Sequence, residues 1–377
     1  MRSIPVLLKM LFFPFLAALV VFVIYPRVVK QREETIDLAK VIKQMNSAGG
    51  SAPSEEGSQL VSTATLPSRK VLKNDYHVFQ TFNNCGPASL SMALSYYGIK
   101  VSQKELGDQL RPYQNKQGDN DDKSVTLEEI GEKAEEYGLL YYHRPAGNPD
   151  LIKQLIFNDI PVITRTWLKY GEDIAHFRVI KGYDDNAGVF IQDDSYQGKN
   201  LEYTYGDFNK LWEAFNYEYI VLVRPEQKDV VEKILGQSLD KKIAWELAKK
   251  ESEKKLFANP ASVYDRFNLS VANYYLEDYE GAVEAYEEIS ARLPFRMLWY
   301  QIEPIIAYNK LGEEEKVLEI TSTILNNHNR AFSELYQLRG RIYMERGDLG
   351  TARGEFEKAL YYNKNYRLEE DELTVLN

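Results

Sequence analysis

Apolar residues change their spacing several times along this chain, and each change announces a different kind of element. From Ile4 to Tyr25 they run on, interrupted only by Lys9, and Met10 to Tyr25 alone is 16 residues. About 20 apolar residues cross a bilayer as a helix, and a lysine near one end can snorkel, which extends the useful span back to Ile4. Between Asn46 and about Lys70 the pattern dissolves into Ser, Gly, Ala, Pro, Thr and Glu. Such a composition buries no core and predicts a flexible tether. Order returns at Leu90, Ala93, Leu94 and Tyr97, whose spacings of three and four describe one helix face. Pro87 fits only in a first turn, so this helix starts close to Cys85, and Gly98 stops it. Two extended runs follow: Ala175 to Ile180, ending at Gly182, and Gly188 to Gln192, leading into Asp193, Asp194 and a turn from Ser195 to Gly198.

After Arg224-Pro225 the β-branched runs cease. Asp229 to Leu256 is charged and amphipathic, as a helical connector or capping helix would be. From Ala261 a repeat becomes countable. Tyr308 and Tyr343 stand 35 apart, as do Gly312 and Gly347. Tyr279, Ala282, Tyr286 and Pro294 match Leu349, Ala352, Phe356 and Lys364 at twice that offset. A small residue followed four positions on by an aromatic, at a period near 34, resembles tetratricopeptide repeats. About three copies fit between Ala261 and Tyr366, the middle one degenerate at Val317 and Thr321. Stacked helical hairpins of this type offer a surface to a protein partner or substrate.

The chemistry centres on Cys85, the only cysteine among 377 residues. A lone cysteine is most often a buried packing residue. Placed at a helix start, however, a thiol sees the positive end of the helix dipole, which favours the nucleophilic thiolate. Of the four histidines, His176 alone reads as lying inside a strand with acids at the end of the next one. Neighbouring strands can hold an imidazole beside a carboxylate that fixes its tautomer, which is the arrangement a cysteine nucleophile requires.

The segments Asn83-Asn84-Cys85-Gly86-Pro87-Ala88-Ser89, His176-Phe177-Arg178-Val179-Ile180 with Gly182-Tyr183, and Ile191-Gln192-Asp193-Asp194 together resemble the bacteriocin-processing (double-glycine leader) cysteine peptidases. Within that family the closer likeness is to the broad papain-like relatives that lack a transporter. The resemblance spans about Tyr76 to Arg224. It implies Cys85 as nucleophile, His176 as base and Asp193 as the residue orienting the imidazole. The family more often has Asp-Pro at that place, and the Asp193-Asp194 pair keeps Asp194 open for the same role. A glutamine upstream of the cysteine supplies an oxyanion donor in such enzymes, which implies Gln80. The interval of 91 residues from Cys85 to His176 is shorter than the roughly 130–150 of papain itself.

Composition narrows the remainder. A net charge of −10 argues against nucleic-acid binding. No His/Cys spacing suits zinc, and Asp119 to Asp122 lack the glycine and closing glutamate of a calcium loop, so no metal or cofactor is expected. The Gly49-Gly50 pair reads as linker rather than as a cleavage signal.

The expectation is therefore an α+β papain-like cysteine peptidase domain followed by an all-α tetratricopeptide-type repeat domain, with one N-terminal transmembrane helix. The boundaries read as 1–27 for the membrane anchor (or signal) helix, 28–70 for the tether, 71–225 for the peptidase domain, 226–260 for the connector and 261–377 for the repeats. A cleaved signal peptide ending near Leu16-Ala17-Ala18 is the alternative to an anchor. Single N-terminal anchors favour a catalytic part outside the cytoplasm. The functional expectation is a membrane-tethered peptidase whose repeats recruit a protein. A chain ending near Glu226 is expected to keep its hydrolytic activity. An inactive papain-like scaffold and transglutaminase-type acyl transfer are the alternatives.

Overall fold

The computed structural model describes residues 66–113, 124–327 and 329–376. The apolar stretch from Ile4 to Tyr25, Gly49-Gly50, Asp119 to Asp122 and His328 lie outside the described residues. Among the described residues no helix is long and apolar enough to cross a membrane.

A helix, α1 (Cys85–Ser95), carries the lone cysteine as its first residue. It ends two residues before the apolar face does. Tyr97 and Gly98 close tighter turns onto Leu94 and Ser95, and Gly98 takes a φ of +77° that suits only glycine. Two short helices follow, α2 (Gln103–Leu110) and α3 (Leu127–Glu135), the latter opened by a reciprocal Thr126–Glu129 capping box. The strands are β1 (Arg69–Val71), β2 (Leu140–Arg144), β3 (Val162–Trp167), β4 (Ala175–Asp184), β5 (Val189–Asp194), β6 (Gly198–Thr204) and β7 (Tyr219–Val223). They form one antiparallel sheet in the order β2-β7-β3-β4-β5-β6, with β1 added against the far end of β4. Two further helices, α4 (Pro149–Phe157) and α5 (Tyr205–Trp212), complete the layer structure.

Alternation along the strands divides the apolar side chains between two cores. One joins Leu90 and Leu94 of α1 and Ile130 of α3 to Ile163, Phe177, Val179 and Ile220 of the sheet. The other joins Ile152 and Leu155 of α4 and Phe208 and Trp212 of α5 to Val162, Ile180, Phe190 and Val221.

Both extended runs prove longer than their patterns suggest. β4 continues past Gly182 to Asp184, because Gly182 marks a close approach and not an end: a Cβ there would stand 2.9 Å from the carbonyl oxygen of Lys70 in β1. The ladder to β5 shifts register between Ile180 and Gly182, leaving Lys181 as the extra residue of a bulge. β5 in turn runs through Asp193 and Asp194, which are strand residues and not part of a following turn.

The helical part begins with α6 (Lys228–Leu235) and α7 (Lys241–Ala258), broken apart at Gly236, whose φ is +54°. Three helical hairpins succeed them: α8 (Val263–Tyr275) with α9 (Tyr279–Glu287), α10 (Glu303–Lys310) with α11 (Glu314–Asn326), and α12 (Ser333–Glu345) with α13 (Leu349–Tyr362). The repeat positions Ala282, Ala352, Tyr286 and Phe356 are buried between them, and so are Val317 and Thr321 of the divergent copy. Asp278 and Asp348, 70 residues apart, cap the equivalent helices α9 and α13.

The hairpins are not a free-standing module. A third core runs without interruption from Trp167, Ala175, Leu211 and Phe215 of the sheet layer to Trp245, Phe267, Val271 and Trp299 of the helices. Polar contacts reinforce it. The Asn268 side chain of α8 accepts from the Asn216 N–H and donates to the Glu213 carbonyl, and the Asn216 side chain donates to the Asn268 carbonyl. Arg296, in the connection between α9 and α10, donates its backbone N–H to Asp173 Oδ2 at 3.2 Å and pairs its guanidinium with Oδ1 at 2.5 Å. Asp173 stands three residues before His176, so a repeat residue holds the loop that leads into the histidine strand.

Candidate active site

Cys85 opens α1, and its backbone N–H is among those left without an intrahelical partner. The approach to it is shaped by tertiary contacts. Asn83 has a left-handed φ of +52°. Arg111, at the end of α2, donates to the carbonyls of Phe82 at 3.2 Å and Asn83 at 2.5 Å. Gln103 bonds the backbone of Phe79 and Thr81. Gly86 is required beside the cysteine, because a Cβ there would lie 2.2 Å from Val125 Cγ2.

The Cys85 thiol hydrogen-bonds the His176 imidazole. His176 Nε2 lies 2.9 Å from Asp194 Oδ1, which leaves Nδ1 as the nitrogen for the sulfur. Cys85 and His176 are 4% and 2% exposed, at the floor of the site. Burial by itself would push the thiol up. The hydrogen bond and charge of His176, the charge of Arg111 and a hydrogen bond with the Phe177 backbone outweigh it and bring the thiol below its ordinary value. Burial would likewise push the imidazole down, but the bonds to Asp194 and Cys85 raise it. Both shifts run in the direction that favours a thiolate beside an imidazolium over the neutral pair. Asp194 is opposed by burial too, yet His176, then Arg178 and the Gln197 backbone, hold its carboxyl at about 2. Its charge therefore persists to about pH 2.

The other aspartate goes elsewhere. Asp193, expected to orient the ring, is paired with Lys181, whose Nζ lies 2.7 Å from its Oδ1, and it also accepts from Asn200 N–H at 2.9 Å. Successive strand residues point to opposite sides of a sheet. Asp194, opposite Arg178 in the ladder, shares a side with His176; Asp193, opposite Val179, shares the other with Lys181. The geometry thus corrects the placement: Asp193 does not reach the imidazole, and Asp194 does.

Gln80 lies beside this turn. Its N–H donates to the Ser195 carbonyl at 2.7 Å, and its Oε1 accepts the Ser195 hydroxyl at 2.8 Å. With Oε1 so engaged, Nε2 is the end that can donate to a substrate oxygen. His77 Nε2 bonds the Asp194 carbonyl at 2.9 Å, fastening the same segment to β5.

Residues 70–220 match the model of the Peptidase_C39 like family.

That match covers less than half of the chain and supports a cysteine peptidase-type function for the sheet-bearing part. Among solved structures, the chain is similar to a C39-like peptidase from Bacillus anthracis at 16% identity, covering 41% of this chain and 98% of that one, with a TM-score of 0.34. It is similar also to the peptidase domain of Streptococcus ComA, a bi-functional ABC transporter involved in a quorum-sensing pathway: 23% identity, 41% and 98% coverage, TM-score 0.30. The helices are similar to a thermophilic TPR protein from Thermus thermophilus at 22% identity, covering 32% of this chain and 67% of that one, TM-score 0.27. A search of curated proteins gives no match.

A second histidine also proves to sit in a strand. His143 of β2 places Nδ1 2.9 Å from Glu128 Oε2 and Nε2 2.9 Å from Glu218 Oε2. Burial opposes the charged ring, but the carboxylate on each nitrogen outweighs it and raises the imidazole above its ordinary value, and neither nitrogen is left to act as a base. It borders a cleft of about 550 Å³ with Lys241, Trp245 and Tyr275, separate from the Cys85 site. Among the described residues no group of His, Cys, Asp and Glu could hold a metal ion.

Proposed function

We propose that this chain is a membrane-tethered cysteine peptidase that hydrolyses a peptide bond through Cys85, His176 and Asp194, with its helical repeats recruiting a protein partner or substrate. The observation that carries the reading is the unbroken chain from thiol to imidazole to buried carboxylate. The Cys85 thiolate attacks the carbonyl carbon, and the oxyanion accepts hydrogen bonds from the Cys85 backbone N–H and from Gln80 Nε2. His176 gives its proton to the departing amine, leaving a thioester. The ring then takes a proton from water, which attacks the thioester and releases the acid. Asp194 stays ionised throughout, stabilising the imidazolium and keeping Nδ1 aimed at sulfur.

Thiol reactivity tests this without knowledge of the substrate. In the full chain at pH 6, iodoacetamide should alkylate Cys85 faster than free cysteine, because an ordinary thiol is almost fully protonated there. His176→Ala and Asp194→Asn should each slow the reaction. Asp193→Asn strands the buried Lys181 charge and should cost roughly 3–5 kcal/mol of stability, yet leave the labelling of folded protein unchanged. Equal rates for wild type, His176→Ala and free cysteine would dismiss the activated thiol.

The tether rests on Ile4 to Tyr25. The intact protein should stay with membranes through a carbonate wash at high pH, which strips peripheral proteins but not spanning helices. Recovery of a soluble form beginning near residue 19 would indicate a cleaved signal peptide. From the precedent of single N-terminal anchors we propose that the catalytic part lies outside the cytoplasm, and the test is protease accessibility in sealed vesicles.

A further inference from the structure

Arg178 is fully buried, and the reaction just described makes no use of it. A guanidinium in a dry interior is costly unless every donor and its charge are answered. Here they are answered in a directed way. Nε donates to Thr166 Oγ1 at 3.0 Å and Nη2 to the Leu168 carbonyl at 2.6 Å, both on or just after β3. Nη1 meets Asp194 Oδ2 and also Gln197 Oε1 at 3.2 Å. The Tyr203 ring lies beneath, 5.1 Å from Cζ.

The division of labour at Asp194 is the informative point. Oδ1 takes the His176 Nε2 bond and the N–H groups of Tyr196 and Gln197 at 2.7 and 2.8 Å. Oδ2 faces Arg178. The carboxylate is therefore pinned at both oxygens, and the plane so fixed determines where Oδ1 meets the imidazole.

We propose that Arg178 is a positioning residue whose buried guanidinium holds the Asp194 carboxylate ionised and aimed at His176. The inference rests on the peptidase reading of Cys85 and His176. It adds that the fork from β3 to β5 sets the pH range over which the thiolate–imidazolium pair exists. Other charged or titratable groups face this assembly. On the thiol side stand Arg111 and, from the repeats, Tyr300. On the carboxylate side are His77, bonded to the Asp194 carbonyl, and Tyr196, whose ring is 6.5 Å from that of His176. Lys181 and Asp193 neutralise each other across the sheet. Of the side chains named, only Arg178 contributes a full positive charge directly to Asp194 besides His176 itself.

The direction of the effect follows. Without the guanidinium, Asp194 binds a proton more readily and supports the imidazolium less well. The thiol then needs a higher pH to ionise. The test is the rate of Cys85 alkylation by iodoacetamide against pH, in the full chain, for wild type, Arg178→Met and Arg178→Lys. Methionine fills much of the space without charge; lysine restores charge without the fork. The acid limb of Arg178→Met should move up by about one pH unit or more, with Arg178→Lys in between. A merely structural residue would lower the melting temperature and leave the limb where it is. If Arg178→Met does not fold, Arg178→Lys decides: its acid limb moves up if the fork positions Asp194, and an unmoved limb overturns the inference. A wild-type limb already low but indifferent to both variants would overturn this inference alone. A wild-type thiol that titrates like free cysteine would remove the peptidase reading and this inference together.

Discussion

Replacing Cys85 with serine should lower peptide hydrolysis by on the order of 10⁴- to 10⁶-fold, because the residues of such a catalytic unit act together and losing the nucleophile forfeits nearly all of its effect. A serine hydroxyl does not ionise beside an imidazole as a thiol does, so the preformed ion pair disappears. The fold should be almost indifferent. Cys85 is small, stands at a helix start, and keeps a hydrogen-bonding partner in His176 when sulfur becomes oxygen. Turnover of a fluorogenic peptide library and the melting temperature measure the two halves of this statement. Hydrolysis that survives would place the nucleophile elsewhere. A fall in melting temperature of more than about 10 °C, several kcal/mol for a chain of this size, would return Cys85 to the class of packing residues.

The second large effect concerns the repeats. A chain ending near Glu226, expected from sequence to work alone, should instead fail to fold cooperatively. Trp167, Ala175, Leu211 and Phe215 have their apolar partners in the helices that follow. Exposing a large side chain forfeits roughly 1.5–3 kcal/mol, so losing these contacts removes much of the 5–15 kcal/mol by which a typical domain is stable. Thermal unfolding of the truncated chain should show a broad transition or aggregation. A sharp transition near that of the full chain, with undiminished Cys85 labelling, would show that the sheet layer stands by itself.

How far the sequence reaches can be judged residue by residue. The helix at Cys85 is legible because Pro87 and the spacing from Leu90 to Tyr97 are local signals. His176 is legible from its run of strand residues, and Arg178 two positions on belongs to the same side by alternation alone. That signal is present in His-Phe-Arg and passes unused. The choice between Asp193 and Asp194 is not legible in the same way. Reading β5 as Gly188 to Gln192 leaves both acids just past its end, where neither side is assigned; the ladder to Arg178 and Gly198 that extends the strand is a tertiary fact. Gly182 misleads for a related reason, since a glycine that admits a neighbouring strand looks, in sequence, like a glycine that ends one. Arg111 lies beyond any periodicity. It reaches the turn before Cys85 from the end of another helix, and only packing brings it there. The union of the repeats with the sheet is equally silent, because Trp167 and Phe215 read as ordinary core residues of whichever layer contains them.

The pairing of Asp173 with Arg296 joins residues 123 apart in the chain. A ribosome adding about 5–20 residues per second needs on the order of 6 to 25 s to cover that distance. During that interval the histidine strand has been made but its leading loop lacks the arginine that holds it, and Trp167 still lacks Trp299's part of their common core. Cys85 and His176 are thus synthesised well before the scaffold that steadies them. The order of synthesis therefore leaves the surroundings of Cys85 and His176 unfinished until the segment carrying Arg296 and Trp299 has been made.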